Sequence, residues 1–284
     1  MENLLRKGHP VVVYDIDVSK IERVVGLGAV RGLSPADVAR QAHVMISMVD
    51  TTAQAEEVIV GHAGFIEEAQ AGDVVISMST IDPIAVRSMH ATLDSRGVDL
   101  IDSPVTGMEK GAREGTLKAY VGGRAEALDN ARPALEAMTA TILHLGEAGN
   151  GIAMKLVNNM LFQVSRVLIA EALALGAKVG LNPDQMVEVV RNTTGNSVAF
   201  EYSAPRILAR DFDGIRMDIT YKDIELQTSL AKSMKMPMFM AATAQQVYQM
   251  ARATGMGNED GVAVVKLYEQ FTGVTVSSTN NPRS

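Results

Sequence analysis

The sequence predicts an α/β fold in which a Rossmann-type parallel-sheet domain precedes an all-α domain, and three observations support it. Short β-branched runs alternate with segments of helical period over roughly the first 100 residues, as is typical of a parallel sheet covered by helices. Residues 152–179 then carry apolar side chains at helical spacing without a helix breaker. No strand alternation follows that run, so the rest of the chain is predicted to be helical.

Composition narrows the possible classes of protein. The chain has 284 residues, 47% of them apolar and 21% charged, which indicates one large or two medium globular domains. Its net charge of −7 lacks the excess of positive charge that binds the phosphate backbone of nucleic acid. The absence of cysteine excludes disulfides and Cys-bound zinc and, with no apolar core of signal-peptide length, favours the cytoplasm. No apolar run reaches the ~18 residues of a membrane span, so no membrane partner is expected.

The individual elements follow from local patterns. The predicted strands cover residues 11–14, 44–49, 74–78, 98–101, 117–121 and 141–145. The first predicted helix is capped by Ser19 and runs through about Val25. The next opens at Ser34, a good N-cap followed by Pro35, and two more cover about 53–69 and begin near Pro83. Later predicted helices cover 125–138, 152–179, 183–191, 204–209, 222–233 and 238–254. The run 152–179 would form a helix of about 42 Å. We place the domain boundary near Gly149, with a dinucleotide-binding domain at 1–148 and a helical domain at 149–284.

An acidic residue follows the first predicted strand. Asp15 fits the acid that hydrogen-bonds the adenosine ribose hydroxyls at the end of the second strand of a dinucleotide-binding fold. The next residues are Ile16 and Asp17, so a 2′-phosphate would meet two carboxylates and no cation. Asp15 therefore favours NAD over NADP. Outside such a fold it would be an ordinary loop acid.

The glycine-rich fingerprint of such a domain is missing from its expected place. No Gly-x-Gly-x-x-Gly stands between a strand and a helix upstream of Asp15, and the glycines at 26, 28 and 32 follow a helix instead. The pattern of residues 2–8 predicts the last turns of a helix that leads into a strand. We therefore expect an N-terminally incomplete domain that lacks a central strand and the backbone N–H groups that bind pyrophosphate.

Several motifs stand in a fixed order along nearly the whole chain. They are Ser79-Thr80-Ile81-Asp82-Pro83, Asp102-Ser103-Pro104-Val105-Thr106-Gly107, Gly149-Asn150-Gly151, Lys155-Leu156-Val157-Asn158-Asn159, Lys222-Asp223-Ile224 and Glu269-Gln270-Phe271-Thr272-Gly273-Val274. Together they resemble the β-hydroxyacid dehydrogenase family. The resemblance implies a Rossmann-type domain and an all-α domain built around a long interdomain helix, with the active site between them.

The resemblance also implies roles for individual residues. Lys155 would be the proton donor or acceptor at the reacting oxygen, oriented by Asn159 four residues on and on the same helix face. Thr106 and Gly107 would hold the substrate carboxylate. Met108 replaces a glycine of the family pattern, and we expect it to forbid a positive φ and to reshape the pocket. Ser197 lies in a loop that could line the same pocket.

The remaining positions carried over from the family concern the cofactor. Met48 and Val49 follow one predicted strand and Thr80 follows another, where ligands bind parallel sheets. Lys222 would close over the cofactor from the helical domain. The five histidines have no metal-binding spacing, so no metal site is expected.

These features together predict an NAD-dependent oxidoreductase that moves a hydride between the nicotinamide and a small 3-hydroxy carboxylic acid. Two alternatives stay open. One is a reductase for another acidic semialdehyde, dicarboxylic or sulfonated; the other is a non-catalytic family member that has lost cofactor binding. One expected partner is a small carboxylate substrate. The other is a further copy of the chain, in a homodimer or homotetramer, because a helical domain with exposed apolar faces usually buries those faces against a partner.

Overall fold

The computed structural model describes residues 1–279, and the chain divides into two compact units, Met1–Lys155 and Leu156–Ser284. The division falls inside one long helix, a little beyond the boundary near Gly149 that the sequence suggests. The helix begins at Asn150, so its first turns belong to the first unit and the rest to the second.

The first unit alternates helices with short strands. Its helices are α1 (Glu2–Arg6), α2 (Val18–Val25), α3 (Pro35–Gln41), α4 (Thr52–Val60), α5 (Pro83–Asp94), α6 (Met108–Glu114) and α7 (Ala125–Glu136). Its strands are β1 (Val12–Val13), β2 (Val30–Arg31), β3 (Val44–Ser47), β4 (Val74–Ser77), β5 (Asp99–Asp102), β6 (Val105–Thr106), β7 (Leu117–Val121) and β8 (Thr139–His144).

The strands of this unit form three hydrogen-bonded groups. β1 pairs with β2, and β3, β4 and β5 pair in that order, all in parallel. In the third group β7 pairs with β8 in parallel, whereas β6 pairs with β7 antiparallel. All four residues of β4 are buried, as expected for a strand covered on both faces. The parallel, helix-covered sheet predicted from the sequence is thus confirmed.

Two local expectations fail. Ser19 does not cap α2: Asp17 is the N-cap, and its carboxylate accepts the Ser19 amide at 3.0 Å. An ionised carboxylate two residues earlier is a strong acceptor for that amide. The helix expected from Ala53 ends at Val60 and is followed by a separate 3₁₀ turn, because Gly61 and Gly64 interrupt it. Ser34 caps α3 with Pro35 in the first turn, as predicted.

The second unit is helical, as predicted. The long helix α8 (Asn150–Lys178) enters it, and α9 (Pro183–Arg191), α10 (Val198–Ala209), α11 (Met217–Ser233), α12 (Phe239–Ala253) and α13 (Val265–Thr272) follow. α10 and α11 begin earlier than the sequence pattern suggested, and α13 was not predicted. The core joins Leu173 of α8 to Ile207 of α10, Ile224 of α11 and Tyr248 of α12.

An ion pair lies at the centre of this unit. The side chains of Arg166 and Asp260 are 1% and 0% exposed and contact each other directly. Asp260 Oδ2 also accepts the Tyr202 hydroxyl at 2.6 Å and the Ile215 amide at 2.7 Å. These hydrogen bonds replace the water that the carboxylate loses on burial.

Helix α8 has the length and composition of a membrane span, with a mean hydropathy of 1.5 over an 18-residue window, although the sequence shows no uninterrupted apolar run. Of that window, 44% is buried inside the fold. Ile169, Ala170 and Leu173 of α8 belong to the core of the second unit, and the core helix of a helical domain needs the same composition.

Candidate active site

Lys155 lies in the second turn of α8 and reaches the segment that follows β5. Its Nζ donates a hydrogen bond to the carbonyl oxygen of Val105 at 2.8 Å. Val105 is the first residue of β6 and immediately precedes Thr106 and Gly107. The lysine expected to move a proton is therefore held beside the turn expected to bind the substrate carboxylate.

That turn has an unusual backbone. Gly107 has φ of +135° and is the N-cap of α6, and a Cβ here would stand 3.1 Å from Leu117 Cδ2. Met108 has φ of +57°, so the expectation that it forbids a positive φ is wrong. A non-glycine residue enters this region only where the surrounding structure imposes it. Here the antiparallel pairing of β6 with β7 and the start of α6 fix the turn, and the Met108 side chain is 53% exposed.

Asp102, at the end of β5, has a buried carboxylate. Its Oδ1 accepts the amide of Gly149 and its Oδ2 accepts the amide of Ile152, both at 2.7 Å. Burial raises the pKa of the Asp102 carboxyl, and the two amide hydrogen bonds oppose that rise. The carboxylate thus caps α8 one turn before Lys155.

A second polar cluster lies in the second unit, around Asp223 of α11. Asp223 Oδ2 accepts Asn159 Nδ2 at 2.8 Å and Gln163 Nε2 at 3.5 Å. Lys222 Nζ lies 3.5 Å from Asp223 Oδ1. Because the Asn159 amide nitrogen faces Asp223, the orientation of its carbonyl oxygen is set. Asn159 and Lys222 are therefore brought together by an acid to which the sequence analysis gave no role.

The residues expected to contact a dinucleotide follow three strands of the first unit. Asp15 follows β1; its Oδ1 accepts the Asp17 amide at 2.8 Å, and its Oδ2 lies 4.0 Å from Lys20 Nζ. Met48 and Val49 follow β3, with Met48 68% exposed and the Val49 amide donating to Ser79 Oγ at 2.7 Å. Thr80 follows β4 and is half-buried.

Two of these positions follow the carboxyl ends of strands of the first unit. The carboxyl ends of parallel strands are where such cofactors bind, and Asp15 and Thr80 stand at two of them. No strand, glycine turn and helix in the Gly-x-Gly-x-x-Gly arrangement occurs among residues 1–279. The glycines at 26 and 28 end α2 and lead into β2, so they are not that turn.

Ser197 has a structural role that the sequence analysis did not assign. It is the N-cap of α10, and its hydroxyl accepts the Phe200 amide at 3.0 Å. Its contact with substrate stays a prediction. Within residues 1–279 no group of three or more His, Asp or Glu side chains could hold a metal ion.

Two acids, Asp102 in the first unit and Asp223 in the second, were quoted in motifs without a role. Asp102 had a usable signal: it ends a buried strand, and the long helix α8 follows Gly149, a residue with no side chain that could cap it. Asp223 had a weaker one, since its helix spacing says nothing about Asn159, 64 residues away. The tertiary structure supplies both pairings.

The chain matches two family models that together cover most of its length. Residues 1–146 match the NAD binding domain of 6-phosphogluconate dehydrogenase. Residues 149–268 match the NAD-binding domain of NADP-dependent 3-hydroxyisobutyrate dehydrogenase. The two matches meet close to the first residue of α8.

Characterised relatives match the chain almost end to end. A 2-(hydroxymethyl)glutarate dehydrogenase from Eubacterium barkeri is 35% identical, over 97% of this chain and 92% of the relative. A 3-sulfolactaldehyde reductase from Escherichia coli is 31% identical, over 96% and 92%. The structure of Mycobacterium tuberculosis 3-hydroxyisobutyrate dehydrogenase with L-serine superposes with a TM-score of 0.84 at 28% identity, covering 94% of this chain and 93% of that one.

Proposed function

Because the chain belongs to the β-hydroxyacid dehydrogenase family, a family of oxidoreductases, we propose that it moves a hydride between NAD and a small 3-hydroxy carboxylic acid. The reverse reaction reduces the corresponding semialdehyde. The observation that carries the proposal is the hydrogen bond from Lys155 to the Val105 carbonyl, next to the Thr106–Gly107 turn. This contact supports the proposal because Val105 immediately precedes Thr106 and Gly107, the residues proposed to bind the carboxylate.

Each residue then has a defined task. The nicotinamide, when bound, accepts or supplies the hydride. Lys155 takes the hydroxyl proton during oxidation and returns it during reduction. The Thr106 hydroxyl and the Gly107 amide hold the substrate carboxylate, which fixes the carbon to be oxidised. Asn159, held by Asp223, orients the lysine or the substrate oxygen.

The choice of NAD over NADP rests on Asp15. Its carboxylate accepts hydroxyl hydrogen bonds from a ribose and repels a 2′-phosphate. Lys20, 4.0 Å away, partly offsets that charge in the protein but is 67% exposed, where screening by water is strong. Lys222, Met48, Val49 and Thr80 are proposed as the other cofactor contacts.

A second candidate substrate class is an acid with another anionic group, such as a dicarboxylic or sulfonated semialdehyde. The observation that favours it is Met108, which replaces a glycine of the family pattern and is 53% exposed at the turn. The names of two relatives, a 2-(hydroxymethyl)glutarate dehydrogenase and a 3-sulfolactaldehyde reductase, point the same way.

We also propose a homo-oligomer, dimeric or tetrameric, that works in the cytoplasm. Leu161, Leu168 and Leu175 of α8 are 66%, 60% and 64% exposed and lie seven residues apart. Leucines at this spacing share one face of a helix, and a second copy could bury that face. Light scattering should give a multiple of 30.4 kDa, and Leu168→Glu should lower it. A monomeric wild type would refute this part.

The deciding experiment measures NADH binding by nicotinamide fluorescence, followed by turnover of 3-hydroxy acids with NAD. The screen includes 3-hydroxyisobutyrate, 2-(hydroxymethyl)glutarate and a sulfonated analogue. Saturable binding with turnover that disappears in Lys155→Met supports the proposal. Binding without turnover of any acid contradicts the substrate class. No binding by the chain favours the non-catalytic alternative.

A further inference from the structure

The start of α8 is held from both sides within the first unit. Arg87 Nε donates to the carbonyl oxygen of Ala148 at 3.2 Å, just before the helix. The Asp102 carboxylate accepts the Gly149 and Ile152 amides. The first amides of a helix have no partner within it, so an acceptor here fixes where the helix starts and in which direction it runs.

Two glycines leave room for the Asp102 carboxylate beside the start of α8. Asp102 forms an antiparallel bridge with Gly122: the Asp102 nitrogen lies 3.0 Å from the Gly122 oxygen, and the Gly122 nitrogen lies 2.9 Å from the Asp102 oxygen. A Cβ on Gly122 would stand 2.5 Å from Asp102 Oδ1, and one on Gly151 would stand 2.8 Å from Oδ2. Both glycines are therefore needed for α8 to approach the carboxylate this closely.

Lys155 stands one turn after Ile152 on the same helix, so the cap determines where its side chain begins. A shift in the first turn of α8 would move the Lys155 Cα relative to Val105, whose carbonyl now accepts Nζ at 2.8 Å. Misplacing a catalytic group by about 1 Å can lower a rate by roughly 10²-fold.

We propose that Asp102 is the positioning residue for Lys155: its buried carboxylate anchors the first turn of α8 and so holds the lysine beside the Val105–Gly107 segment. Asp102 does not touch substrate in this assignment. The part concerning catalysis rests on the proposed function; the part concerning the placement of Lys155 does not.

The test compares Asp102→Asn with Ser103→Ala in the full chain. Asparagine offers one acceptor oxygen and turns an NH₂ group toward the other amide, so one of the two bonds is lost. Ser103 is equally buried and adjacent, and its hydroxyl has no hydrogen-bond partner among the described residues. It therefore controls for the removal of a buried polar atom without loss of a cap.

Two measurements need neither cofactor nor activity. Hydrogen exchange at Gly149 and Ile152 should quicken at least about tenfold in Asp102→Asn and stay unchanged in Ser103→Ala. Reductive methylation of Lys155, followed by peptide mass spectrometry with Lys178 as internal reference, should also quicken in Asp102→Asn only. Unchanged exchange, or unchanged labelling of Lys155, would overturn the assignment.

A third measurement uses turnover. Asp102→Asn should lower kcat about 10²-fold with KM and the Kd of NADH within about threefold, and should have no further effect in a Lys155→Met background. An equal loss in both backgrounds overturns the assignment. If the wild type shows no turnover, the proposed function is refuted. The hydrogen-exchange and labelling results then still test whether Asp102 positions Lys155.

If Asp102→Asn does not fold, Asp102→Ser replaces it, because the smaller side chain keeps one acceptor oxygen. Should both fail to fold, exchange in the wild type decides. Protection of Gly149 and Ile152 close to that of the core strands supports the cap, and exchange as fast as in an uncapped first turn, such as that of α7, overturns it.

Discussion

The Lys155 ammonium donates to the Val105 carbonyl oxygen at 2.8 Å across 50 residues of sequence. The contact joins the second turn of α8 to the first residue of β6. The carbonyl oxygen accepts one N–H of the lysine and so fixes the direction in which Nζ points. In the proposed reaction the lysine gives a proton to the substrate oxygen during reduction, and it must be a neutral amine before it can take a proton during oxidation.

Replacing Lys155 tests its role in proton transfer. We expect Lys155→Met to lower kcat by about 10²–10⁴-fold, because methionine keeps most of the side-chain volume but cannot exchange a proton. The Kd of NADH, measured by fluorescence, should barely change. Lys178→Met, at the exposed end of the same helix, is the matched control and should retain wild-type kcat. A similar loss in both variants would contradict a specific role.

Replacing Thr106 tests the carboxylate site. Thr106→Val keeps the shape of the side chain but removes the hydroxyl, so KM for the acid should rise about tenfold, in line with the loss of a hydrogen bond to a charged group. Thr106→Ser restores the hydroxyl and should recover most of the affinity. Steady-state kinetics with the best acid from the screen measures both. Equal KM values for valine and serine variants would remove the hydroxyl from the site.

Replacing Asp15 tests the cofactor preference. Asp15→Ser removes the charge that repels a 2′-phosphate and leaves Lys20 nearby to attract it. The ratio of kcat/KM for NADP to that for NAD should rise about tenfold or more, the size expected for one charge a few ångströms away. Glu22→Gln, an exposed change on the adjacent α2, should leave the ratio unaltered. A ratio that does not move in Asp15→Ser would place the ribose elsewhere.

Removing one partner of the buried ion pair in the second unit should strongly destabilise the chain. Arg166→Met leaves Asp260 buried without its cation, which should lower the free energy of unfolding by about 3–5 kcal/mol. Arg132→Met removes one partner of an exposed ion pair on α7. This change should alter the free energy of unfolding by less than about 0.5 kcal/mol. Urea unfolding followed by circular dichroism compares the two. A small effect of Arg166→Met would show that Tyr202 and the backbone amides alone satisfy the carboxylate.

Alkaline pH should destabilise the same cluster. Burial, followed by the hydrogen bond to Asp260, raises the pKa of Tyr202 from 10.0 to about 12. Between these values the folded chain holds a proton that the unfolded chain has lost, so the free energy of unfolding falls as pH rises through that window. Burial likewise raises the pKa of Tyr248 to about 12.

The check is urea unfolding of wild type and Tyr202→Phe at several pH values between 10 and 12. Phenylalanine cannot ionise, so the variant should lose stability less steeply with pH, while the part due to Tyr248 persists. Parallel curves for the two proteins would contradict the assignment of the raised pKa to Tyr202.

Much of the architecture could be predicted because its signals are local. Patterns of neighbouring residues are enough to predict several elements. They are the β-branched runs of β3, β4, β5 and β7 and the periodic apolar run of α8. Ser34 with Pro35 marked the start of α3 correctly. The motif order along the chain also indicated the family, which the family models and relatives confirm.

The misses share a physical cause. β2 and β6 are each two residues long, which is too short for a recognisable strand pattern in the sequence. They form because β1 and β7 offer backbone hydrogen-bond partners. The positive φ of Met108 is likewise imposed by the strand before it and the helix after it, against the preference of its own side chain.

By itself, the sequence determined most of the helices, the central strands, the family and the identity of the polar groups, because periodicity, capping and motif spacing are encoded over a few residues. Only the tertiary structure decided which groups meet. Asp102 accepts amides of α8, and Lys155 donates to the Val105 carbonyl, between residues about 50 positions apart in the sequence. Asp223 accepts from Asn159, which lies 64 positions away. Such pairings depend on how buried surfaces pack, and packing is a property of the whole unit that no short segment carries.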